Sequence, residues 1–238
     1  MPPPRRAPEI IAHRGTPRVY PENSLPGFAH ALAVGADALE LDVHLTADGV
    51  PVVHHDAELG AGPLAGALAG RPVVDLTLAE LRTAELAPGV GVPTLAEVRA
   101  LAAGRTTLYV EVKARGAADA VVRALAGLGG AAPVHSFDHR VSRRVRELAP
   151  DTPVGVLSTS YLVDTVAAMR AACARDLWQH WTVVDAALVD AVHAAGGRVV
   201  VWTVNDVDAA RALAALGVDG LCTDVPGLMR SAFAESPS

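Results

Sequence analysis

The sequence predicts an α/β chain folded as a single (β/α)8 TIM barrel over residues 1–238, distorted at the connection between strands 2 and 3 and carrying a short insertion after strand 3. Three observations predict it. Short apolar runs alternate with helix-like segments along most of the 238 residues. Runs such as Val199-Val200-Val201-Trp202 are continuously apolar, as parallel strands buried on both faces are. Nearly every run ends in polar residues, and a barrel carries its chemistry at the C-terminal ends of its strands. A doubly wound open sheet is the alternative. It would normally place a glycine-rich phosphate loop after the first strand, where this chain has His13-Arg14-Gly15.

Glu9 to Ala12 is the first strand, and a helix capped by Asn23 or Ser24 follows to about Val34. Asp37 to Val43 is the second strand. The link to Pro51-Val52-Val53 contains Asp48-Gly49, a turn signal, and is too short for a crossover helix. Strands two and three therefore join by a hairpin-like return. Residues 57–92 form the insertion, loop-like except for a helix over Leu78 to Leu86. Its small apolar composition suits a lid or rim, or a padded loop without a role. Thr94 opens the next helix with Glu97 three residues on, a capping box. Thr107 to Lys113, Pro133 to Phe137 and Pro153 to Leu157 are strands, each followed by a helix. Leu177 to His180 reads as a short strand or loop. Arg198 to Val204 and Val218 to Thr223 are the last strands, and a tail helix starts near Pro226.

Composition excludes several classes. Hydrophobic residues make up 51% and charged residues 19%, enough for a large core. A net charge of −6 argues against a general nucleic-acid binder or a stable membrane-surface protein. A small phosphate ester stays compatible with that charge, because a local field can bind it. Cys173 and Cys222 form no disulfide or metal pattern, and Met1 to Pro8 lacks a following apolar run. The expectation is a cytoplasmic protein without an anchor.

The strand ends carry the candidate chemistry. Glu40 and Asp42 are two residues apart and share one strand face, as do Glu111 and Lys113. Three carboxylates converging in a barrel mouth repel one another unless a cation sits between them. An all-oxygen set favours one divalent cation, Mg2+ or Ca2+. His13 and His55 end different strands and suit a reaction in which one proton is removed and another delivered. Arg14 offers a planar fork matched to phosphate oxygens, and Lys113, the only lysine, offers a point charge. Glu22 and Asn23 overhang the mouth. Asp56, Ser136, Phe137, Trp202 and Asn205 are supporting candidates at other strand ends. Salt bridging, helix capping and core packing are the alternatives for these residues taken singly.

The ordered set resembles the glycerophosphodiester phosphodiesterases, within the phospholipase C-like phosphodiesterases. It comprises His13-Arg14-Gly15, Pro21-Glu22-Asn23-Ser24, Glu40-Leu41-Asp42-Val43, Thr46-Ala47-Asp48-Gly49, His55-Asp56, Glu111-Val112-Lys113, Ser136-Phe137, Val201-Trp202-Thr203-Val204-Asn205 and Thr223-Asp224. The resemblance implies a divalent metal on Glu40, Asp42 and Glu111, with Glu22 in or near its shell. It implies His13 and His55 as general acid and base, and Arg14 and Lys113 on the phosphate. The implied reaction yields an alcohol and glycerol 3-phosphate from a small phosphodiester, through attack by the substrate's own hydroxyl and a cyclic phosphate. Residues 57–62 and His135, where the family often has glutamine, depart from the pattern. Lysophospholipase D-type action on acylated substrates and non-catalytic phosphodiester binding are the alternatives.

Overall fold

A computed structural model describes residues 7–60 and 63–234. The leading residues 1–6, Ala61-Gly62 and the tail after Ala234 lie outside the described residues, so part of the reading of Met1 to Pro8 and of the Gly60–Pro63 loop does as well.

Eight parallel strands close a barrel. They are β1 (Glu9–His13), β2 (Ala38–Leu45), β6 (Thr107–Val112), β7 (Val134–Ser136), β8 (Val154–Ser158), β9 (Asp176–His180), β10 (Arg198–Trp202) and β11 (Gly220–Thr223). β1 pairs with both β2 and β11, which completes the ring. The strands are almost wholly buried, as the continuous apolar runs predict. Ile11, Tyr109, Leu157, Trp178 and Val200 fill the barrel interior, and two larger clusters bind the strands to the surrounding helices.

The third predicted strand corrects the sequence reading. β3 (Pro51–Val53) pairs antiparallel with the end of β2 and does not enter the barrel. The short link over residues 46–50 allows only the hairpin, so β2's other neighbour in the ring is β6, with Asp42 level with Glu111. His55-Asp56 thus reaches the mouth from a hairpin.

The insertion is a packed unit. Val52, Leu59, Leu68, Val73, Leu76, Leu81 and Val92 form a separate apolar cluster. Its helix α2 (Leu78–Leu81) is shorter than predicted. A Thr77–Glu80 capping box starts it, but the chain then turns into a small hairpin of β4 (Glu85–Ala87) and β5 (Val90–Gly91) around Gly89, whose φ of 75° suits glycine. Helix α3 (Leu95–Ala102) carries the predicted Thr94–Glu97 box.

Aspartates set where the later helices begin. Asp138, Asp164, Asp185 and Asp206 each accept from a backbone N–H in the first turn of α5 (His139–Leu148), α6 (Thr165–Ala172), α7 (Ala186–Ala194) and α8 (Val207–Leu216). The caps at Asp164 and Asp185 thus fix the starts of α6 and α7 at Thr165 and Ala186. The stretch predicted as short strand or loop is the full strand β9. At the opposite barrel end a cavity of about 780 Å³ is lined by Glu9, Tyr109, Arg175, Arg198 and Arg230 among others, whose charges are paired with one another or with Asp176 and Asp37.

Candidate active site at the barrel mouth

Three adjacent strands place their polar residues at one level. Asp42 on β2 is level with Glu111 on β6, and Glu111 with His135 on β7. Glu40 lies two residues before Asp42, on the same face. All four are buried.

Asp42 is the hub. Asn23 donates from Nδ2 to Asp42 Oδ2 at 2.8 Å. Arg14 Nε approaches the same oxygen at 3.1 Å, and Lys113 Nζ approaches Oδ1 at 3.0 Å. Asn23 has φ 55° and Arg14 φ 54°, left-handed conformations that turn the β1 loop back over β2. The Asn23 amide donates to the Arg14 carbonyl at 2.9 Å, and the Arg14 amide to the Glu40 carbonyl at 3.0 Å. The predicted choice of helix cap resolves accordingly: Ser24 caps α1 (Leu25–Ala33), and Asn23 is released to hold Asp42. Glu22, half-exposed, accepts from the Arg14 guanidinium through both oxygens at 3.2 Å. It therefore clamps Arg14.

The carboxylates are under-compensated. Glu40, Asp42 and Glu111 face two cations, Arg14 and Lys113. Burial, then the Lys113 and Arg14 charges, act on Asp42 in opposite senses; the cations win and hold it down at about 2. Burial and the Asp42 charge push Glu111 up to about 7. Burial, Asp42 and Glu111 push Glu40 well above the usual carboxylate range. Lys113 Nζ lies 2.6 Å from Glu111 Oε1, yet Glu111 Oε1 and Asp42 Oδ1 lack well-directed hydrogen bonds. Glu40, Glu111 and His135 each offer a ligand atom, all within 4.8 Å of one another. Excess buried negative charge, unused oxygen lone pairs and ligand spacing all fit a divalent cation.

The histidines present the same device twice. His13 Nδ1 is 2.7 Å from Asp224 Oδ1, and His55 Nδ1 is 2.7 Å from Asp56 Oδ1. A carboxylate only accepts, so each pairing puts the proton on Nδ1 and leaves Nε2 as the free nitrogen. Burial raises Asp224, but its hydrogen bonds from His13 and Asn205 outweigh burial and keep it below the ordinary value. Asn205 donates to Asp224 Oδ2 at 2.7 Å and accepts from the Asp224 amide at 2.8 Å. The buried His44 donates from Nε2 to the His55 carbonyl at 3.1 Å, and the His54 amide donates to the Asp42 carbonyl at 3.0 Å. These bonds tie the hairpin to the carboxylate cluster.

The remaining candidates divide. Phe137 is exposed and meets Trp202 edge-on, with ring centroids 5.6 Å apart, and Trp202 also meets His180. Ser136 is buried; its hydroxyl donates to the Val112 carbonyl and accepts from the Asp138 amide, so it shapes the loop.

Sequence reasoning missed Asp224 as His13's partner. The signal was present: in a closed barrel the first and last strands pair, Ala12 sits level with Thr223, and the next residue on each strand is His13 and Asp224. It gave no role to His135, noted only as a departure from the family pattern, or to His44; both roles depend on which strands are neighbours.

A closed parallel barrel with paired imidazoles, a guanidinium, an ammonium and a buried carboxylate cluster at its mouth defines a hydrolase for a small anionic ester. The comparisons agree with that class. The glycerophosphoryl diester phosphodiesterase family matches residues 13–228. A glycerophosphodiester phosphodiesterase of Caldanaerobacter subterraneus subsp. tengcongensis is 30% identical over 91% of this chain and 94% of its own. An Oleispira antarctica phosphodiesterase solved with the product sn-glycerol-3-phosphate is 26% identical, covers 96% of this chain and 98% of its own, and has a TM-score of 0.86. The Thermotoga maritima glycerophosphodiester phosphodiesterase is 27% identical over 95% of this chain and 98% of its own, with a TM-score of 0.81. This chain belongs to the glycerophosphoryl diester phosphodiesterase family, and it is an enzyme of that kind.

Proposed function

We propose that this barrel, taken as one domain over residues 1–238, hydrolyses small glycerophosphodiesters to an alcohol and glycerol 3-phosphate with a divalent cation, Mg2+ or Ca2+, held by Glu40, Asp42 and Glu111. The observation that carries the reading is the pair of imidazoles, His13 and His55, each fixed through Nδ1 by a carboxylate and each free at Nε2 beside the buried cluster. The cation would supply positive charge to the phosphoryl oxygens and to the carboxylates that repel one another without it.

The chain's own residues perform the proton work. One imidazole takes the proton of the substrate's glycerol hydroxyl as that oxygen bonds to phosphorus. The other protonates the alcohol oxygen as its bond to phosphorus breaks. Their roles then reverse as water opens the cyclic phosphate. Arg14 and Lys113 face the phosphate oxygens, and both are pre-oriented by Asp42. Asp56, Asp224 and Asn205 hold the tautomers. Phe137 and Trp202 border the alcohol side. The reading assigns a small-molecule substrate in the cytoplasm, with no nucleic-acid or membrane partner.

Release of glycerol 3-phosphate from glycerophosphocholine and glycerophosphoethanolamine, before and after EDTA treatment, tests it. The reading expects release that EDTA abolishes and Mg2+ or Ca2+ restores. Full release in EDTA would remove the cation from the account.

A further inference from the structure

His135 is a buried imidazole, 1% exposed, on the floor of the mouth. The ring makes no hydrogen bond among the described residues, and its Nδ1 has no partner. Its Nε2 is 3.8 Å from Glu40 Oε1, too far for a hydrogen bond and suited to a shared ion. The ring is held in place. It stacks on the Trp178 indole with centroids 4.0 Å apart and 8° between planes. Gly155, level with His135 on β8, makes that stack possible: a Cβ there would stand 3.0 Å from Trp178 Cδ1 and 3.2 Å from His135 Cβ. A glycine in a barrel strand and an indole thus fix a polar ring that has nothing to bond. Buried polar groups left without partners are costly, so such a ring calls for a ligand.

We propose that His135 is the nitrogen donor of the cation site, coordinating through Nε2 beside Glu40 and Glu111, and that it shifts the site's preference from Mg2+ and Ca2+ towards cations that accept imidazole, such as Co2+ and Zn2+. This rests on the carboxylate cation site proposed above. The ligand atoms of the three residues already lie within 4.8 Å of one another. Asp42 lies outside that close-spaced group, but its Oδ1 lacks a well-directed hydrogen bond and stays available as the third carboxylate of the site. All-oxygen sets suit Mg2+ and Ca2+, whereas an added imidazole favours later first-row metals.

The test uses the full-length chain stripped of metal. Co2+ and Mg2+ binding is measured by calorimetry for wild type, His135→Gln and Glu40→Gln, and pulsed EPR is recorded on the Mn2+-loaded proteins. His135→Gln is expected to weaken Co2+ by at least the roughly 10-fold that loss of an outer-shell partner costs a metal site, and to change Mg2+ far less. Wild type loaded with Mn2+ is expected to show a nitrogen hyperfine coupling that His135→Gln removes. That coupling is read on wild type as well, so a folding defect in the variant does not blunt the test. Unchanged Co2+ affinity, or bound Mn2+ without the nitrogen coupling, overturns the role of His135 while leaving the carboxylate site intact. No divalent binding by wild type, or binding untouched by Glu40→Gln, overturns the carboxylate site and this inference together.

Discussion

Asn23 grips both parts of Asp42: its Nδ2 donates to the carboxylate at 2.8 Å, and its Oδ1 accepts from the Asp42 amide at 3.3 Å. One amide side chain thereby sets the rotamer of the residue that orients Arg14 and Lys113. Asn23→Ala removes both bonds and leaves alanine at a positive φ, which asparagine tolerates better. The expected cost is about 1–3 kcal/mol, read by urea unfolding, with a fall in kcat/KM. Asn23→Asp, which places a like charge beside Asp42, is expected to be worse on both readouts.

Asp224→Asn tests the support of His13. The amide can no longer oblige the His13 Nδ1 to carry the proton, so the free Nε2 loses its defined role. A kcat/KM loss of roughly 10²-fold or more is expected, with the thermal midpoint little changed. A variant as active as wild type would remove Asp224 from the mechanism.

The metal-free protein should have an inverted pH response. Glu111 is raised to about 7 in the fold, and Glu40 is raised as well. Between an unfolded value of about 4.3 and the folded value, the native state holds more protons than the unfolded one, so stability falls as pH rises through this window. For Glu111 the effect is on the order of 3 kcal/mol between pH 4.5 and 7.5. Thermal midpoints in EDTA should therefore drop over that range, and a divalent cation should restore them at the upper end. Asp42, held at about 2, acts oppositely, and its contribution is lost only as pH falls below about 4. A flat profile in EDTA would contradict the under-compensated cluster.

The insertion should be separable from the chemistry. Leu81 is fully buried in the cluster that the insertion forms for itself. Leu81→Ala is expected to cost about 2–5 kcal/mol by denaturant unfolding and to leave kcat/KM of the folded enzyme unchanged. A loss of kcat/KM equal to that of Asn23→Ala would make the insertion part of the site.

The barrel, and the strand ends that make up the candidate site, were legible because their signals are local. Val199-Val200-Val201-Trp202 shows a buried parallel strand, and Glu40 with Asp42 shows a shared face through spacing alone. What was not legible depends on neighbours in space. The fate of Pro51-Val52-Val53 depended on which strand pairs with β2, and β6 takes that place. The bond from Asp224 to His13 exists only because the ring closes, and the stack of His135 on Trp178 needs the room that Gly155 leaves. By position in the chain Asn23 suits a cap as well as a site residue, and only the fold, in which Ser24 caps α1, separates the two.

The central claim is that His13 and His55 form the acid–base pair. The most direct measurement is the rate of glycerol 3-phosphate release from glycerophosphocholine by His13→Ala and by His55→Ala, at saturating substrate and divalent cation. A loss of roughly 10²–10⁴-fold in each variant, with its thermal midpoint preserved, is predicted. A rate within a few-fold of wild type in either folded variant would contradict the account.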